Sequence, residues 1–198
     1  MNFNDFGFAD EVLDAIHSIG YETPTPIQEQ AIPAILDGDD VIGSAQTGTG
    51  KTAAFLLPII DKIINSNIQD KIQALIIVPT RELAVQITQQ MDGFSYFTPI
   101  SSIAVYGGGD ASLFAQEKTA LTHGVDLIVG TPGRLISHLN MSYVDMSHLN
   151  TLILDEADRM LDMGFHDDIM KIINLLPKKR QNLLFSATMP PKIRELAR

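Results

Sequence analysis

SAQTGTGKT, residues 44–52, carries the strongest structural signal in the chain. It follows the apolar run DVIGSA and precedes AAFLLPII, so it reads as a strand, a glycine-containing turn and the start of a helix. Gly48 and Gly50 permit torsions and close approaches that a side chain would obstruct, letting successive N–H groups point inward at phosphate oxygens. A helix beginning near Gly50 adds its positive end. Lys51 can reach the β and γ phosphates of a nucleotide, and the Thr52 hydroxyl is placed to ligand magnesium. The general pattern has glycine where this chain has Ala45, but the five residues between Ala45 and Lys51 are correctly counted. Taken alone, a Gly/Thr-rich turn that merely opens a helix would look much the same.

Working outward, six short apolar runs (DVIGSA, ALIIVP, SSIAVY, DLIVGT, TLILDE and NLLFSAT) alternate with segments of helical period. Val12, Leu13, Ile16 and Ile19 share one side of a first helix, and Leu83, Ile87 and Met91 share one side of a later helix. Strands that are continuously apolar, such as ALIIV and LILD, are buried on both faces, as in a parallel sheet covered by crossover helices. The expected fold is α/β, a doubly wound parallel sheet flanked by helices on both faces. Its ligands gather beyond the C-terminal ends of the strands.

One such end carries acid. TLIL runs into DEAD, which sets Asp155 and Glu156 beside the loop that follows another strand. Asp155 would bind magnesium directly or through water, and Glu156 would orient or deprotonate a water attacking the γ phosphate. The same acids also suit the first turn of an ordinary helix.

Composition bounds the rest. The chain has 198 residues, no cysteine, and 14 basic against 24 acidic residues for a net charge of −10. That balance argues against holding nucleic acid by a bulk basic field, so any such site must be local. The absence of cysteine excludes disulfides and thiolate metal sites and agrees with a cytoplasmic location. MNFNDFGFADE does not resemble a secretory signal, and AAFLLPII is far too short to span a bilayer, so no membrane association is expected. The five histidines lack ligand spacing. The run Lys178, Lys179, Arg180 reads as a solvated loop, and Met160, Met163 and Phe165 as packing against the sheet. KIRELAR closes the sequence without a helix stop, the ending expected of a fragment of a longer protein.

Taken in order, these stretches resemble the first RecA-like domain of DEAD-box ATP-dependent RNA helicases. GYETPTPIQ (20–28) is similar to the Q motif, AQTGTGKT with alanine first is the family's own form of motif I, and DEAD (155–158) is motif II. PTRELA (79–84) resembles motif Ia, Gly107 and Gly108 the GG element, TPGR (131–134) motif Ib and SAT (186–188) motif III. GGGD (107–110) carries one glycine beyond the family's pair. The compact chain resembles a bacterial, RhlE-like branch.

The resemblance implies a helical segment with the Q motif over 1–30 and a RecA-like P-loop ATP-binding domain over 31–198. It implies that Gln28 reads the adenine edge, that Phe3 stacks on the adenine ring and that Tyr21 helps line that site. Ala45, Gln46, Thr47, Gly48, Thr49, Gly50, Lys51 and Thr52 would hold the phosphates of ATP with Mg2+. Pro79, Thr80, Arg81, Gly107, Gly108, Thr131, Pro132, Gly133 and Arg134 would grip RNA without regard to its sequence, through phosphates and 2′-hydroxyls. PTREL and TPGR taken singly read equally as capped helix starts. Asp158, Ser186 and Thr188 would couple nucleotide state to strand separation. A second RecA-like domain would supply half the RNA groove and the arginines that meet the γ phosphate, so this part alone is expected to bind nucleotide but hydrolyse it negligibly. The competing readings are a different P-loop ATPase and a nonenzymatic, ATP-gated RNA clamp.

Overall fold

The computed structural model describes residues 1–46, 48–108 and 111–196. Thr47 therefore lies outside the described residues, as do Gly109 and Asp110 of the GGGD turn. A short 3-10 turn (Phe3–Phe6), α1 (Asp10–Ile19) and α2 (Pro26–Leu36) lead into β1 (Val41–Ser44), α3 (Lys51–Ser66), β2 (Ala74–Ile77), α4 (Arg81–Phe94), β3 (Ser102–Val105) and α5 (Ala111–His123). There follow β4 (Leu127–Gly130), α6 (Pro132–Leu139), β5 (Thr151–Leu154), α7 (Ala157–Asp162), α8 (His166–Asn174), β6 (Gln181–Ser186) and α9 (Pro191–Leu196).

All six apolar runs form strands, every pairing is parallel, and the order across the sheet is β1-β6-β5-β2-β4-β3. Alternate residues of the strands enter two separate cores. Along β2, Ala74 and Ile76 face the core shared with α1 to α4, whereas Leu75 and Ile77 face the core shared with α5 to α9. Ile153 and Leu183 repeat the first assignment, Leu152 and Leu184 the second. This two-sided burial is why the strands lack polar alternation. Truncating one of these fully buried aliphatic residues to alanine should cost ~2–5 kcal/mol.

The helical faces follow the expected spacing. Val12, Ile16, Ile87 and Met91 are buried, while Ile19 is exposed beside Gly20, whose left-handed conformation ends α1. The boundary expected at residue 30 falls inside α2, which runs unbroken from Pro26 to Leu36 and packs along α3. Met160 is buried in the second core as expected, but Met163 is exposed. No helix among the described residues is long and apolar enough to cross a membrane.

Because the strands are parallel, their C-terminal ends at Ser44, Ile77, Val105, Gly130, Leu154 and Ser186 lie along one edge. The phosphate loop, PTRELA, the Gly107–Gly108 pair, TPGR, DEAD and SAT all lie at or just beyond those ends.

Candidate active site

The loop between β1 and α3 requires its glycines. Gly48 and Gly50 have φ of 87° and 83°, and a Cβ on Gly50 would lie 2.7 Å from Gln28 Nε2 and 2.9 Å from Thr25 Oγ1. Ala45 is buried, and its N–H donates to the Ser186 carbonyl at 3.2 Å, so the extra methyl is housed in the fold and the loop's entry is tied to β6. The Thr49 hydroxyl donates to the Gln46 carbonyl at 2.7 Å, closing the described part of the turn.

At the start of α3, Lys51 Nζ lies 2.8 Å from Asp155 Oδ1, and the two side chains are only 7% and 0% exposed. The Asp155 backbone N–H donates to the Ile77 carbonyl at 3.0 Å, which prolongs the β5–β2 ladder beyond the C-terminal end of β5. Oδ1 also accepts the Glu156 N–H at 3.0 Å, whereas Oδ2 is buried with no hydrogen-bond partner. Burial pushes the Asp155 carboxyl above its ordinary value, and the Lys51 ammonium pulls against that shift. An orphaned oxygen on the carboxylate that pairs with Lys51 fits a hydrated magnesium ion, whose waters would supply the missing donors. Among the described residues no cluster of three or more His, Asp or Glu side chains could hold a metal alone. Such an ion would draw its other ligands from water and phosphate.

Glu156 adopts the left-handed region at φ 53° although it is not glycine, at a cost of about 1–3 kcal/mol. The turn ends β5 sharply and brings the Glu156 side chain to the wall of a cleft of about 570 Å³. Arg159 Nη1 stands 3.7 Å from the Glu156 carboxylate. Tyr21, Gly48, Gly50, Lys51, Thr52 and Thr80 also line this cleft. So do Glu82, Gln86 and Gln90 of α4, which sequence reasoning passed over. Their signal was present, since they recur every four residues immediately beside the apolar stripe of Leu83, Ile87 and Met91.

Phe3 and Gln28, both expected at adenine, are also engaged within the protein. Phe3 is buried, with its ring 6.1 Å from that of Tyr21 at 29° and 6.0 Å from that of Phe6, so the aromatic side chain that lines the cleft is Tyr21. The Gln28 amide is engaged at both ends: Oε1 accepts the Thr25 N–H at 3.0 Å and Nε2 donates to the Gly50 carbonyl at 3.1 Å. Gln28 thus joins the Q segment to the phosphate loop.

Asp158, Ser186 and Thr188 come together. Asp158 Oδ2 accepts from the Thr188 hydroxyl at 2.9 Å and from its N–H at 3.1 Å, while Ser186 Oγ accepts the Asp158 N–H at 3.2 Å and donates to the Thr188 carbonyl at 2.7 Å. Burial would raise the Asp158 carboxyl, but hydrogen bonds from Thr188 and Ser186 outweigh it and hold the group below the ordinary carboxylate range.

Further along the edge, Thr80 Oγ1 caps α4 by accepting the Leu83 N–H at 3.2 Å. The exposed Arg81 guanidinium lies 5.0 Å from the Tyr106 ring centroid, next to the exposed Gly107 and Gly108. Thr131 makes no side-chain cap on α6, whose first residue is Pro132, and Gly133 is exposed. Arg134 is paired inside the fold. Its side chain is 15% exposed, Nε is 2.7 Å from the buried Glu117 Oε1, and Nη2 is buried without a partner. Its charge is neutralised internally, so what α6 presents to solvent here is chiefly backbone. The basic run is likewise occupied in part, since Arg180 bonds to Asn182 Oδ1 and the Pro177 carbonyl, both at 2.9 Å.

Comparison with known proteins agrees with this geometry. A family model described as DEAD/DEAH box helicase matches residues 25–196. The chain is 48% identical over 194 residues to the ATP-dependent RNA helicase CshA of Listeria monocytogenes, covering 98% of this chain and 36% of that protein. It is 47% identical over 197 residues to the ATP-dependent RNA helicase DeaD of Mycobacterium tuberculosis, covering 98% of this chain and 34% of that one. The chain therefore spans about a third of the length of these relatives. The crystal structure of a DEAD box protein from the hyperthermophile Methanococcus jannaschii superposes with a TM-score of 0.91 at 38% identity, covering all of this chain and 53% of that one. These names lend no support to an RhlE-like placement. The fold is RecA-like, and the chain belongs to the DEAD/DEAH box helicase family.

Proposed function

We propose that this domain is the ATP-binding half of an ATP-dependent RNA helicase, which couples RNA-stimulated ATP hydrolysis to local separation of RNA duplexes. The observation that carries the reading is the buried 2.8 Å pair of Lys51 and Asp155, with the Asp155 Oδ2 acceptor left free beside the phosphate loop. Lys51 and the loop N–H groups hold the β and γ phosphates; Thr52 and Asp155 would hold Mg2+. When bound, that ion would neutralise charge developing on the phosphates. Glu156 orients the attacking water and accepts its proton. Tyr21 lines the base pocket and Gln28 reads the adenine edge, using the hydrogen and lone pair its present bonds leave free.

RNA lies along the exposed ends of β2, β3 and β4. Pro79, Thr80, Arg81, Gly107, Gly108, Thr131, Pro132, Gly133 and Arg134 contact it there, mainly through backbone N–H groups to phosphates. Such contacts carry little sequence information and suit a protein of net charge −10. The Asp158–Thr188–Ser186 cluster links the acidic turn to the end of β6 and would transmit nucleotide state. A second RecA-like domain completes both sites, so residues 1–198 alone bind nucleotide but hydrolyse it negligibly. A cytoplasmic location accompanies this reading.

The test is RNA-stimulated ATPase activity of the longer protein with and without Glu156→Gln. Loss of turnover by about 10²–10⁴ with ATP binding retained supports the reading. Unchanged turnover would shift it to an ATP-gated clamp, and preferential stimulation by DNA to a different ATPase.

A further inference from the structure

Glu117 belongs to none of the family-like stretches, yet its side chain on α5 is only 2% exposed. A carboxylate is buried only when its oxygens are well satisfied. Here the donors come from two other parts of the RNA edge. The Tyr106 N–H, at the entry to the Gly107–Gly108 loop, donates to Oε2 at 3.2 Å. Arg134 Nε and His138 Nε2, both on α6, reach Oε1 at 2.7 and 2.9 Å. His138 is held in turn by the Tyr143 hydroxyl at its Nδ1, 2.6 Å away, and by Phe114, whose ring stacks on it at 4.2 Å and 12°. Phe114 also lies 5.0 Å from the Arg134 guanidinium. Phe114 and Glu117, three residues apart on one helical face, thus clamp α6, while Glu117 alone also holds the loop after β3. Arg81 over Tyr106 extends the contact to the start of α4.

We infer that Glu117 is a positioning residue for RNA, fixing the separation between the Tyr106–Gly108 loop and the amino end of α6 so that their N–H groups meet neighbouring phosphates of one strand. The inference rests on the RNA reading proposed above. Backbone donors have no side-chain freedom to adjust, so their spacing must be set before the strand arrives. The Arg134 charge, committed to Glu117, serves this spacing instead of the phosphates.

The experiment is an amide-shift titration of the 198-residue chain by NMR, with single-stranded oligouridine at low salt, alongside its affinity for Mg·ADP. In the unsubstituted chain Gly107, Gly108, Gly133 and Arg134 amides should shift; if they do not, the RNA reading and this inference fall together. Given those shifts, Glu117→Ala should weaken RNA binding about tenfold while ADP affinity stays within about twofold. RNA binding unchanged, or tightened as release of the Arg134 charge alone would produce, overturns the inference and leaves the RNA reading intact. Equal losses of RNA and ADP affinity also overturn it, since they mark general destabilisation. If the alanine variant does not fold, the near-isosteric Glu117→Gln decides. About threefold weaker RNA binding with unchanged ADP binding supports the role, and unchanged or tighter RNA binding refutes it.

Discussion

Lys51 and Asp155, contributed from the two sides of strand β6, meet at 2.8 Å with both side chains nearly closed to solvent. Removing one partner strands the other. Lys51→Met should destabilise the chain by about 3 kcal/mol near neutral pH, and Lys51→Met with Asp155→Asn should recover much of that loss. Without the ammonium, burial holds the Asp155 carboxyl above its unfolded value. The cost of ionising it is absent below the unfolded value and complete above the folded one, so the single variant's deficit should shrink in acid. Urea denaturation of the two variants at several pH values measures this. A double variant no more stable than the single one contradicts the coupling.

Glu156 holds its left-handed backbone at an energetic cost because the turn presents its carboxylate to the cleft. Glu156→Gly should leave stability unchanged or raise it by up to about 1 kcal/mol, while abolishing turnover in the longer protein. Thermal unfolding combined with an ATPase assay checks both halves. A clear fall in stability would show that the conformation is not strained.

Gly50 admits no side chain, since its Cβ would press on Gln28 and Thr25. Gly50→Ala should cost about 1–3 kcal/mol and weaken ADP binding, because relief of the clash separates the Q segment from the phosphate loop. Calorimetric titration with ADP supplies the comparison, and wild-type affinity in the alanine variant would rule out that link.

Asp158 is held below the ordinary carboxylate range by Thr188 and Ser186, against the opposing effect of burial. A depressed carboxyl contributes stability that is complete above its unfolded value, near 3.9, and lost as pH falls through the lower folded value. The stability gap between wild type and Asp158→Asn should therefore be constant at neutral pH and close in acid. Denaturation curves between neutrality and the acid limit of folding follow it. A gap that widens in acid contradicts the hydrogen-bonded anion.

Much of this was legible in the sequence for a local reason. Six apolar runs became six parallel strands because a strand buried on both faces leaves a continuous hydrophobic signal, and the phosphate loop and DEAD turn were visible because each directly follows such a run. What escaped depends on distant partners. The position of β6 between β1 and β5 is set by tertiary packing, and with it the separation of Lys51 from Asp155. Glu117 reads as an ordinary helical acid until Tyr106, Arg134 and His138 converge on it. For the same reason the pairing of Arg134 with Glu117 is invisible in the sequence, and Phe3, which the resemblance places on adenine, lies buried beside Tyr21.

Convergence of Lys51 and Asp155 on the phosphates of an adenine nucleotide carrying magnesium underlies the proposed function. Its most direct measurement is calorimetric titration of the 198-residue chain with Mg·ADP and Mg·GDP, repeated on Lys51→Ala. Saturable one-to-one binding of ADP, about tenfold or more preference over GDP, and loss of binding in the variant are expected. No saturable ADP binding, or equal ADP affinity with and without the lysine amine, would contradict it.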